Sequence, residues 1–326
     1  MKAIVIGADG ELEWQEVPDP QLRAGEVLLR STATALNRAD LFQRKGNYPV
    51  PDGESQILGL EVAGTVVAVA PDVTDVQVGD EGYALLGGGG YAELVSLPAA
   101  MFMPKPRSLE LTRAAGVPEV FLTAFSALFD DLRMQAGETL LLHAGASGVG
   151  TAAIQMAKRA GLTVIVTAGS ERKLEACREL GADLAVNYRE EDFAGKALEF
   201  TGGRGVDGVV DFVGEDYFDR NLHVLAYRGR MVVLSTLSGS KVELDLRLLM
   251  GKRIQLNGAT LRARPLAEKV DLKERFLARF GDDLDAGRIG PVVDTVFPIT
   301  RAQEAHEYME QNRNIGKILL TFGEQP

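Results

Sequence analysis

Apolar residues follow two different patterns along the chain. In the first hundred residues, short apolar runs at positions 25–30, 62–69 and 91–95 are separated by turn-forming residues, which predicts a β-rich unit. A short helix is expected within this unit at residues 38–44, with Asn37 as its N-cap residue. The amino-terminal part of the chain is therefore predicted to form a small sheet with one helix.

From about residue 120, apolar strands alternate with helical stretches, which is typical of βαβ units and a parallel sheet. The predicted strands are residues 140–142, 164–166, 209–210 and 231–234, and the predicted helices are residues 151–160, 171–180 and 218–226. After about residue 256 the alternation fades. The rest of the chain is expected to form an extended segment at 291–298, a helix at 302–309 and a strand at 317–321.

Length and composition fit a two-domain protein. The chain has 326 residues, 46% of them hydrophobic and 25% charged, as in ordinary globular proteins. Its net charge of -11 argues against nucleic acid as a partner, because binding to phosphates needs a basic surface. One cysteine allows no intrachain disulfide, and no apolar run approaches the ~20 residues of a membrane span. We therefore expect a cytoplasmic protein with no membrane partner.

A glycine-rich turn at residues 145–150 joins a predicted strand to a predicted helix. It follows the spacing Gly-x-Gly-x-x-Gly, except that Ser147 stands at the second position. We expect Gly145 to permit the tight turn and Gly150 to let the helix approach the strand, while the helix N–H groups bind a pyrophosphate. An ordinary strand-to-helix turn is the alternative, but the βα alternation favours a dinucleotide site. Its predicted contacts are Gly145, Ser147, Gly148, Val149 and Gly150.

The end of the next strand indicates which dinucleotide binds. NAD-dependent enzymes place Asp or Glu there to accept hydrogen bonds from the ribose 2′-OH, and none is present at residues 164–170. Gly169 and Ser170 leave space instead, and Arg172 and Lys173 follow closely enough to bind a 2′-phosphate. These cations could also form a solvated helix face. The pattern favours NADPH as the cofactor.

Six segments carry a resemblance to a known family. They are Ala-Leu-Asn-Arg-Ala-Asp-Leu at 35–41, Leu-Gly-Leu-Glu-Val-Ala-Gly at 58–64, Leu-Thr-Ala at 122–124, the turn and helix at 143–155, Asn-Tyr at 187–188 and Asn-Ile-Gly-Lys-Ile at 314–318. Over nearly the whole chain, the sequence resembles the zinc-independent quinone oxidoreductases of the medium-chain dehydrogenase/reductase superfamily. It is most similar to the tumour-suppressor-inducible NAD(P)H quinone oxidoreductase subgroup, in which a serine in the turn is usual.

The resemblance implies an α/β fold with two domains. Residues 1–119 and 256–326 would form a GroES-like β-rich catalytic domain, and residues 120–255 a Rossmann domain with a doubly wound parallel sheet. Asn37 and Tyr48 would border the nicotinamide and the substrate. Tyr48 is a candidate proton donor to a carbonyl oxygen, unless it only shapes the pocket. The other implied cofactor contacts are Thr123, Gly169, Ser170, Lys173, Tyr188, Leu234, Ser235, Asn314 and Lys317.

Zinc alcohol dehydrogenases of this superfamily carry Cys where this chain has Asn37, and His where it has Leu60. Because a catalytic zinc needs three protein ligands, we expect no metal site. The three histidines, His143, His223 and His306, are expected to have packing or solvent roles. Without a Lewis acid, hydride transfer to an electrophilic acceptor is favoured over alcohol oxidation.

These observations predict an enzyme that reduces quinones or related conjugated carbonyls with NADPH. The resemblance also implies a homodimer. One alternative is an enoyl-thioester reductase, which shares the fold and has a tyrosine in the same loop region. A second alternative is a non-enzymatic crystallin-like or nucleic-acid-binding role, which the acidic charge disfavours.

Overall fold

The computed structural model describes residues 1–8 and 10–323. The strands are β1 (Lys2–Ile6), β2 (Leu12–Glu16), β3 (Glu26–Ala35), β4 (Glu61–Val69), β5 (Glu81–Leu85), β6 (Leu94–Pro98), β7 (Met103–Pro104), β8 (Thr139–Leu142), β9 (Thr163–Ala168), β10 (Leu184–Asn187), β11 (Val206–Asp211), β12 (Leu225–Val233), β13 (Gln255–Gly258), β14 (Val293–Pro298) and β15 (Lys317–Thr321). The α-helices are α1 (Arg38–Arg44), α2 (Leu111–Ala114), α3 (Pro118–Phe125), α4 (Gly148–Arg159), α5 (Glu171–Glu179), α6 (Phe193–Phe200), α7 (Glu215–Val224), α8 (Leu246–Lys252), α9 (Leu266–Asp285) and α10 (Ala302–Glu310). Short 3-10 turns lie at Ala99–Met101 and Ile299–Arg301, and Ser126–Asp131 forms a π-helical turn.

The chain separates into two compact units. One comprises Met1–Leu122 together with Leu261–Pro326, and the other comprises Thr123–Thr260. These limits lie within a few residues of the domain limits expected from the sequence. Below, the first is called the β-rich unit and the second the parallel-sheet unit.

The β-rich unit is built on a seven-stranded sheet. Its strand order is β14-β15-β3-β4-β5-β7, and β6 pairs with β3. All the pairs are antiparallel except β14 with β15. In β4, Gly64 approaches β3 so closely that a Cβ atom there would lie 2.1 Å from the carbonyl oxygen of Arg30. This close approach accompanies an irregularity in the β3–β4 register.

The parallel-sheet unit contains six parallel strands in the order β10-β9-β8-β11-β12-β13. The chain starts at β8 in the middle, runs outward to β10, then returns to β11 and runs to the other edge. This is the doubly wound arrangement of a Rossmann fold, and its strand order reverses between β8 and β11. Both the predicted fold class and the parallel sheet are confirmed.

Two sequence expectations need correction, and one helix was missed. The helix predicted at 218–226 begins and ends too late, since α7 comprises Glu215–Val224 and Leu225 already pairs with Val206 in the sheet. The strand predicted at 91–95 begins only at Leu94, because Ala92 makes a single isolated bridge to Ala3. The 20-residue helix α9 was not predicted. None of the helices in the described part of the chain is long and apolar enough to span a membrane.

Candidate active site

The turn between β8 and α4 depends on close backbone approaches. The left-handed residue in the turn is Ala144, with φ of 50°. Gly145 leaves no room for a side chain, since a Cβ atom there would lie 2.8 Å from Cβ of Val166. A Cβ atom on Gly150 would lie 2.4 Å from the carbonyl oxygen of Ala144. The turn and the first helical residues therefore pack tightly together.

Ser147 is the N-cap residue of α4. Its hydroxyl oxygen accepts a hydrogen bond of 3.0 Å from the backbone N–H of Gly150, and its carbonyl oxygen accepts one of 2.8 Å from Thr151. A side-chain cap of this kind satisfies one of the free N–H groups at a helix N-terminus. A serine at the second position of the glycine pattern is thus compatible with a well-formed helix start.

The residues predicted to meet the 2′-phosphate follow the ends of two neighbouring strands. Asn187 at the end of β10 pairs with Ala168 at the end of β9, which brings Tyr188 beside Gly169. A Cβ atom on Gly169 would lie 2.6 Å from the hydroxyl oxygen of Tyr188 and 3.1 Å from Nε of Arg189. The fold thus adds Arg189 to this group, a cation that the sequence pattern did not identify because it lies outside the first helical turn of α5.

Leu234 and Ser235 follow directly after β12. Val233 pairs with Asp211 at the end of β11, and the N–H of Leu234 donates to the carbonyl oxygen of Asp211 over 2.8 Å. The carboxyl ends of parallel strands meet at one edge of a sheet, where open α/β sheets bind ligands. The predicted contacts Gly145, Gly169, Tyr188 and Leu234 therefore all follow strand ends at this edge. Thr123 lies in α3, outside this series of strand ends.

In the β-rich unit, Asn37, Glu61 and Lys317 form a buried cluster. The Nζ atom of Lys317 donates to Oε1 of Glu61 over 2.8 Å, and to Oδ1 of Asn37 and the carbonyl oxygen of Leu36 over 2.7 Å each. Nδ2 of Asn37 donates to Oε1 of Glu61 over 2.8 Å. Only 2% of Lys317 and none of Glu61 is exposed. The ammonium group neutralises the carboxylate and, together with it, fixes the orientation of the Asn37 carboxamide.

Asp40 connects this cluster to a second buried pair, Tyr91 and His306, because the Tyr91 hydroxyl donates a hydrogen bond to the Asp40 carboxylate. Its carboxylate accepts hydrogen bonds from the N–H groups of Asn37 (2.7 Å) and Gly59 (3.1 Å), and burial nevertheless raises its pKa to about 6. The hydroxyl of Tyr91 lies 3.1 Å from Nε2 of His306. Burial lowers the pKa of His306 to about 3, so this histidine is neutral near pH 7. The expected packing role of His306 agrees with these contacts.

Tyr48 lies in a group with Arg262 and Glu119. The guanidinium carbon of Arg262 lies over the Tyr48 ring, 5.2 Å from its centroid. Burial raises the pKa of the Tyr48 hydroxyl. The N–H of Glu119 donates to Oε2 of Glu61 over 2.9 Å, which joins this group to the Lys317 cluster. Neither Arg262 nor Glu119 belongs to a recognisable motif, so only the fold brings them to this place.

Asn314 lies just before β15, and its Nδ2 donates to the carbonyl oxygen of Gly316 over 2.8 Å. In this position it shapes the turn that leads into the strand carrying Lys317. Across residues 1–8 and 10–323, no three His, Cys, Asp or Glu side chains stand close enough together to hold a metal ion.

Known protein families match both parts of the chain. Residues 23–107 match the alcohol dehydrogenase GroES-like domain, and residues 148–276 match the zinc-binding dehydrogenases. The chain is 32% identical to a 2-haloacrylate reductase of a Burkholderia species and 33% identical to a quinone oxidoreductase of Pseudomonas aeruginosa, in both cases over 96% of each chain. The chain belongs to the medium-chain dehydrogenase/reductase superfamily. Its expected resemblance to quinone oxidoreductases is confirmed.

Other members of the superfamily include parts of larger proteins. Three mycobacterial polyketide synthases are 34% to 35% identical over 98% of the chain, which spans only 15% to 19% of their length. Among solved structures, an NAD-dependent alcohol dehydrogenase is 35% identical, with a TM-score of 0.87 over 99% of this chain and 100% of that one. The Escherichia coli quinone oxidoreductase complexed with NADPH is 28% identical, with a TM-score of 0.87 over 98% of each chain. The CurK enoyl reductase is 29% identical, with a TM-score of 0.86 over 99% of each chain.

Proposed function

We propose that this chain is an NADPH-dependent, zinc-independent reductase of quinones or related conjugated carbonyl compounds. The observation that best supports this proposal is that Asn37 and Glu61 both accept hydrogen bonds from Lys317. Both residues lie in the segments where zinc-dependent members carry metal ligands. Here one oxygen of Glu61 accepts from Lys317 and Asn37, and the other accepts from the N–H of Glu119. An ammonium group therefore supplies the positive charge beside this carboxylate.

The parallel-sheet unit fits a dinucleotide. The turn at Gly145 and Gly150 leaves no room for a Cβ atom, and the N-terminus of α4 follows it directly. Such a backbone approach and the partial positive charge of the helix N-terminus both suit a pyrophosphate. When bound, NADPH supplies a hydride to an electrophilic carbon.

Three cations near the end of β9 suit a 2′-phosphate better than a 2′-hydroxyl. Arg172 and Lys173 lie in the first turn of α5, and Arg189 lies beside Gly169. No carboxylate replaces Gly169 or Ser170 at the strand end, where an NAD-dependent enzyme would carry one. The complex of the Escherichia coli neighbour with NADPH supports the same choice, although the alcohol dehydrogenase neighbour is described as NAD-dependent.

On the substrate side, Tyr48 and Asn37 have different tasks. The Tyr48 hydroxyl, whose pKa is raised by burial, stays protonated near neutral pH and can donate a hydrogen bond to a carbonyl oxygen. The Asn37 carboxamide is held in one orientation by Lys317 and Glu61. A fixed carboxamide and a protonated phenol can position a planar acceptor without changing their own protonation state.

The activity is tested by steady-state oxidation of NADPH and NADH against a panel of ortho- and para-quinones, enones and enoyl thioesters. We expect turnover of quinones or enones, a preference for NADPH, and no loss of activity after dialysis against a chelator. Turnover of thioesters with none of quinones or free enones would reject the proposal. Stoichiometric zinc in the purified protein, with activity that depends on it, would reject the zinc-independent mechanism.

The cofactor preference has its own test in Lys173→Ala. Loss of one charge-assisted hydrogen bond to the 2′-phosphate should raise the KM for NADPH about tenfold or more and leave the KM for NADH nearly unchanged. Lys196→Ala, which removes an exposed cation of α6 paired with Glu191, serves as the matched control and should change neither constant. Equal effects of Lys173→Ala on both cofactors would contradict the phosphate assignment.

An enoyl-thioester reductase is the second candidate. It is favoured by the similarity to the CurK enoyl reductase and by the match to segments of polyketide synthases. The two candidates differ in the length of the acceptor, because a thioester carries a long acyl carrier arm. Comparing an enone with its matching enoyl thioester in the same panel separates them.

A further inference from the structure

Arg262 is a buried cation whose hydrogen-bonding capacity is only partly used. Only 4% of the residue is exposed. Its Nε atom donates to the carbonyl oxygen of Gly87 over 2.7 Å. Its two terminal nitrogens, Nη1 and Nη2, are buried and donate to no protein group in the described part of the chain. Buried guanidinium nitrogens are normally hydrogen-bonded, because leaving them unpaired costs free energy.

The position of the Nε bond determines which edge of the guanidinium remains. A guanidinium can bind a pair of oxygens through Nε with one terminal nitrogen, or through Nη1 with Nη2. Because Gly87 takes the bond from Nε, the edge formed by Nη1 and Nη2 is the one left without a partner. That edge matches two coplanar oxygens held by one atom, as in a carboxylate.

Charged groups of both signs surround Arg262. Lys269, which is 8% exposed, adds a second buried cation that interacts electrostatically with Arg262. Asp40, Glu119 and Glu54 also interact electrostatically with Arg262, but within residues 1–8 and 10–323 none of them accepts a hydrogen bond from its terminal nitrogens. Burial and the neighbouring Glu61 raise the pKa of Glu119 to about 8, so its carboxyl is largely protonated at pH 7. The argument for an anionic ligand therefore rests on the unpartnered Nη1–Nη2 edge rather than on a surplus of positive charge.

Arg262 also contacts Tyr48, the residue proposed to donate a hydrogen bond to the substrate. The guanidinium carbon lies over the Tyr48 ring, 5.2 Å from its centroid. This contact restricts the position of the guanidinium group. Oxygens bound at the Nη1–Nη2 edge would therefore belong to a molecule close to this tyrosine.

We propose that Arg262 is a specificity-determining residue that binds a carboxylate of the substrate, so that the enzyme prefers conjugated carbonyl acceptors that carry a carboxylate over neutral ones. This inference rests on the proposed reductase function and narrows its substrate class. A purely structural buried arginine would be expected to donate to protein groups from Nη1 and Nη2 as well as from Nε.

The test compares a charged acceptor with an uncharged one, 4-oxopent-2-enoate and its methyl ester. Because the ester also activates the double bond, each acceptor is compared between the wild-type and variant proteins. Both contain the same ketone-conjugated double bond. We expect the wild-type enzyme to show the lower KM for the acid, and Arg262→Gln to raise that KM about 10- to 100-fold while changing the KM for the ester less than about threefold. Arg107→Gln, which removes an exposed arginine of the same unit, should change neither.

A binding measurement keeps this inference separate from the proposed function. Titration calorimetry should show benzoate binding to the wild-type protein with NADPH present, weaker binding to Arg262→Gln, and no difference between the two proteins for the neutral isostere benzamide. If neither acceptor is reduced but benzoate binds through Arg262, the reductase proposal fails and the carboxylate site stands.

The inference itself is overturned by either of two results. One is an Arg262→Gln variant that turns over the acid and the ester with the same ratio of KM values as the wild type. The other is benzoate binding that does not depend on Arg262. Should Arg262→Gln fail to fold, Arg262→Lys is the second variant, because lysine keeps the positive charge but lacks the paired N–H groups of a guanidinium. We expect Arg262→Lys to raise the KM for the acid severalfold and to leave the KM for the ester unchanged.

Discussion

Buried charge is distributed unequally between the two units. In the β-rich unit, carboxylates and cations from distant parts of the chain are buried together, including Glu61, Lys317 and Arg262. Among the described residues of the parallel-sheet unit, only one charged residue, Asp211, is buried to the same degree. The β-rich unit thus places side-chain chemistry in its interior, whereas the parallel-sheet unit places its predicted cofactor contacts at the strand ends and in the turns and first helical residues that follow them.

The difference has a physical reason. A parallel sheet covered by helices on both faces needs apolar strands, and its carboxyl edge already offers N–H groups for a phosphate. A site that must orient a neutral acceptor or bind a carboxylate needs fixed side chains away from water, where charge interactions are strong. The cost is that each buried charge must find a partner.

The largest effect is expected for Lys317→Met. It leaves Glu61 as a buried carboxylate without a counterion, which typically costs about 3–5 kcal/mol of stability. Urea unfolding followed by the fluorescence of Trp14, the single tryptophan and a residue of the β-rich unit, measures this loss. The double variant Lys317→Met with Glu61→Met should recover a large part of it.

The matched change in the other unit is Lys158→Met. Lys158 pairs with Asp183 over 2.7 Å near the surface, and its loss should cost about 1 kcal/mol or less. Similar costs for Lys317→Met and Lys158→Met would contradict the contrast between the two units.

A smaller loss is expected for Gly150→Ala in the parallel-sheet unit. The added Cβ would lie 2.4 Å and 2.5 Å from the carbonyl oxygens of Ala144 and Gly145, so the turn must shift, at about 1–3 kcal/mol. NADPH affinity, measured by fluorescence titration, should fall at least about tenfold, since the backbone cradle is displaced.

Gly251→Ala provides the control for that variant. Gly251 lies in α8 with no atom within 4 Å of the position of an added Cβ, so alanine should stabilise the helix slightly and leave NADPH affinity unchanged. If Gly150→Ala bound NADPH as tightly as Gly251→Ala, the proposed role of the turn would be wrong.

The last of these effects concerns pH and His143. This histidine is buried between Thr167 and Asn221, and burial lowers its pKa to about 4. The unfolded chain takes up a proton below about pH 6.5 while the folded chain does not, so acidification favours unfolding. The stabilisation is complete above pH 6.5 and is lost as the pH falls towards 4, by about 2 kcal/mol between pH 7.5 and 5.

His143→Gln isolates this contribution because glutamine can donate and accept hydrogen bonds but does not titrate. Urea unfolding at pH 7.5 and pH 5 should show a smaller loss of stability on acidification in the variant than in the wild type. An unchanged pH dependence would mean that His143 is not held neutral by burial.

Local motifs made the parallel-sheet unit predictable. The strand, turn and helix around Gly145 and Gly150 are contiguous in sequence, and parallel pairing carries the ends of successive strands to one edge. Even so, the sequence of the turn did not reveal that Gly145 packs against Val166, because that residue lies in the neighbouring strand. Arg189 was missed for the same reason.

The cluster in the β-rich unit was only partly predictable. Asn37 and Lys317 were identified through resemblance, but their bond to each other spans 280 positions of the sequence. Burial of Glu61 and Arg262 is decided by tertiary packing, since charged residues are normally expected at the surface. In contrast, α9 had a readable signal in Leu272, Phe276, Phe280 and Leu284, which recur every four residues and are buried.

The most direct test of the proposed reductase is deuterium transfer from NADPH labelled at its transferable position, with protein dialysed against a chelator. The acceptor is the methyl ester of 4-oxopent-2-enoate, because the hydrogen transferred to its double bond becomes bound to carbon and can be detected in the product. Mass spectrometry should find one deuterium per reduced molecule, at a rate that chelation does not change. Product without deuterium, or reduction that stops when metal is removed, would contradict zinc-independent hydride transfer.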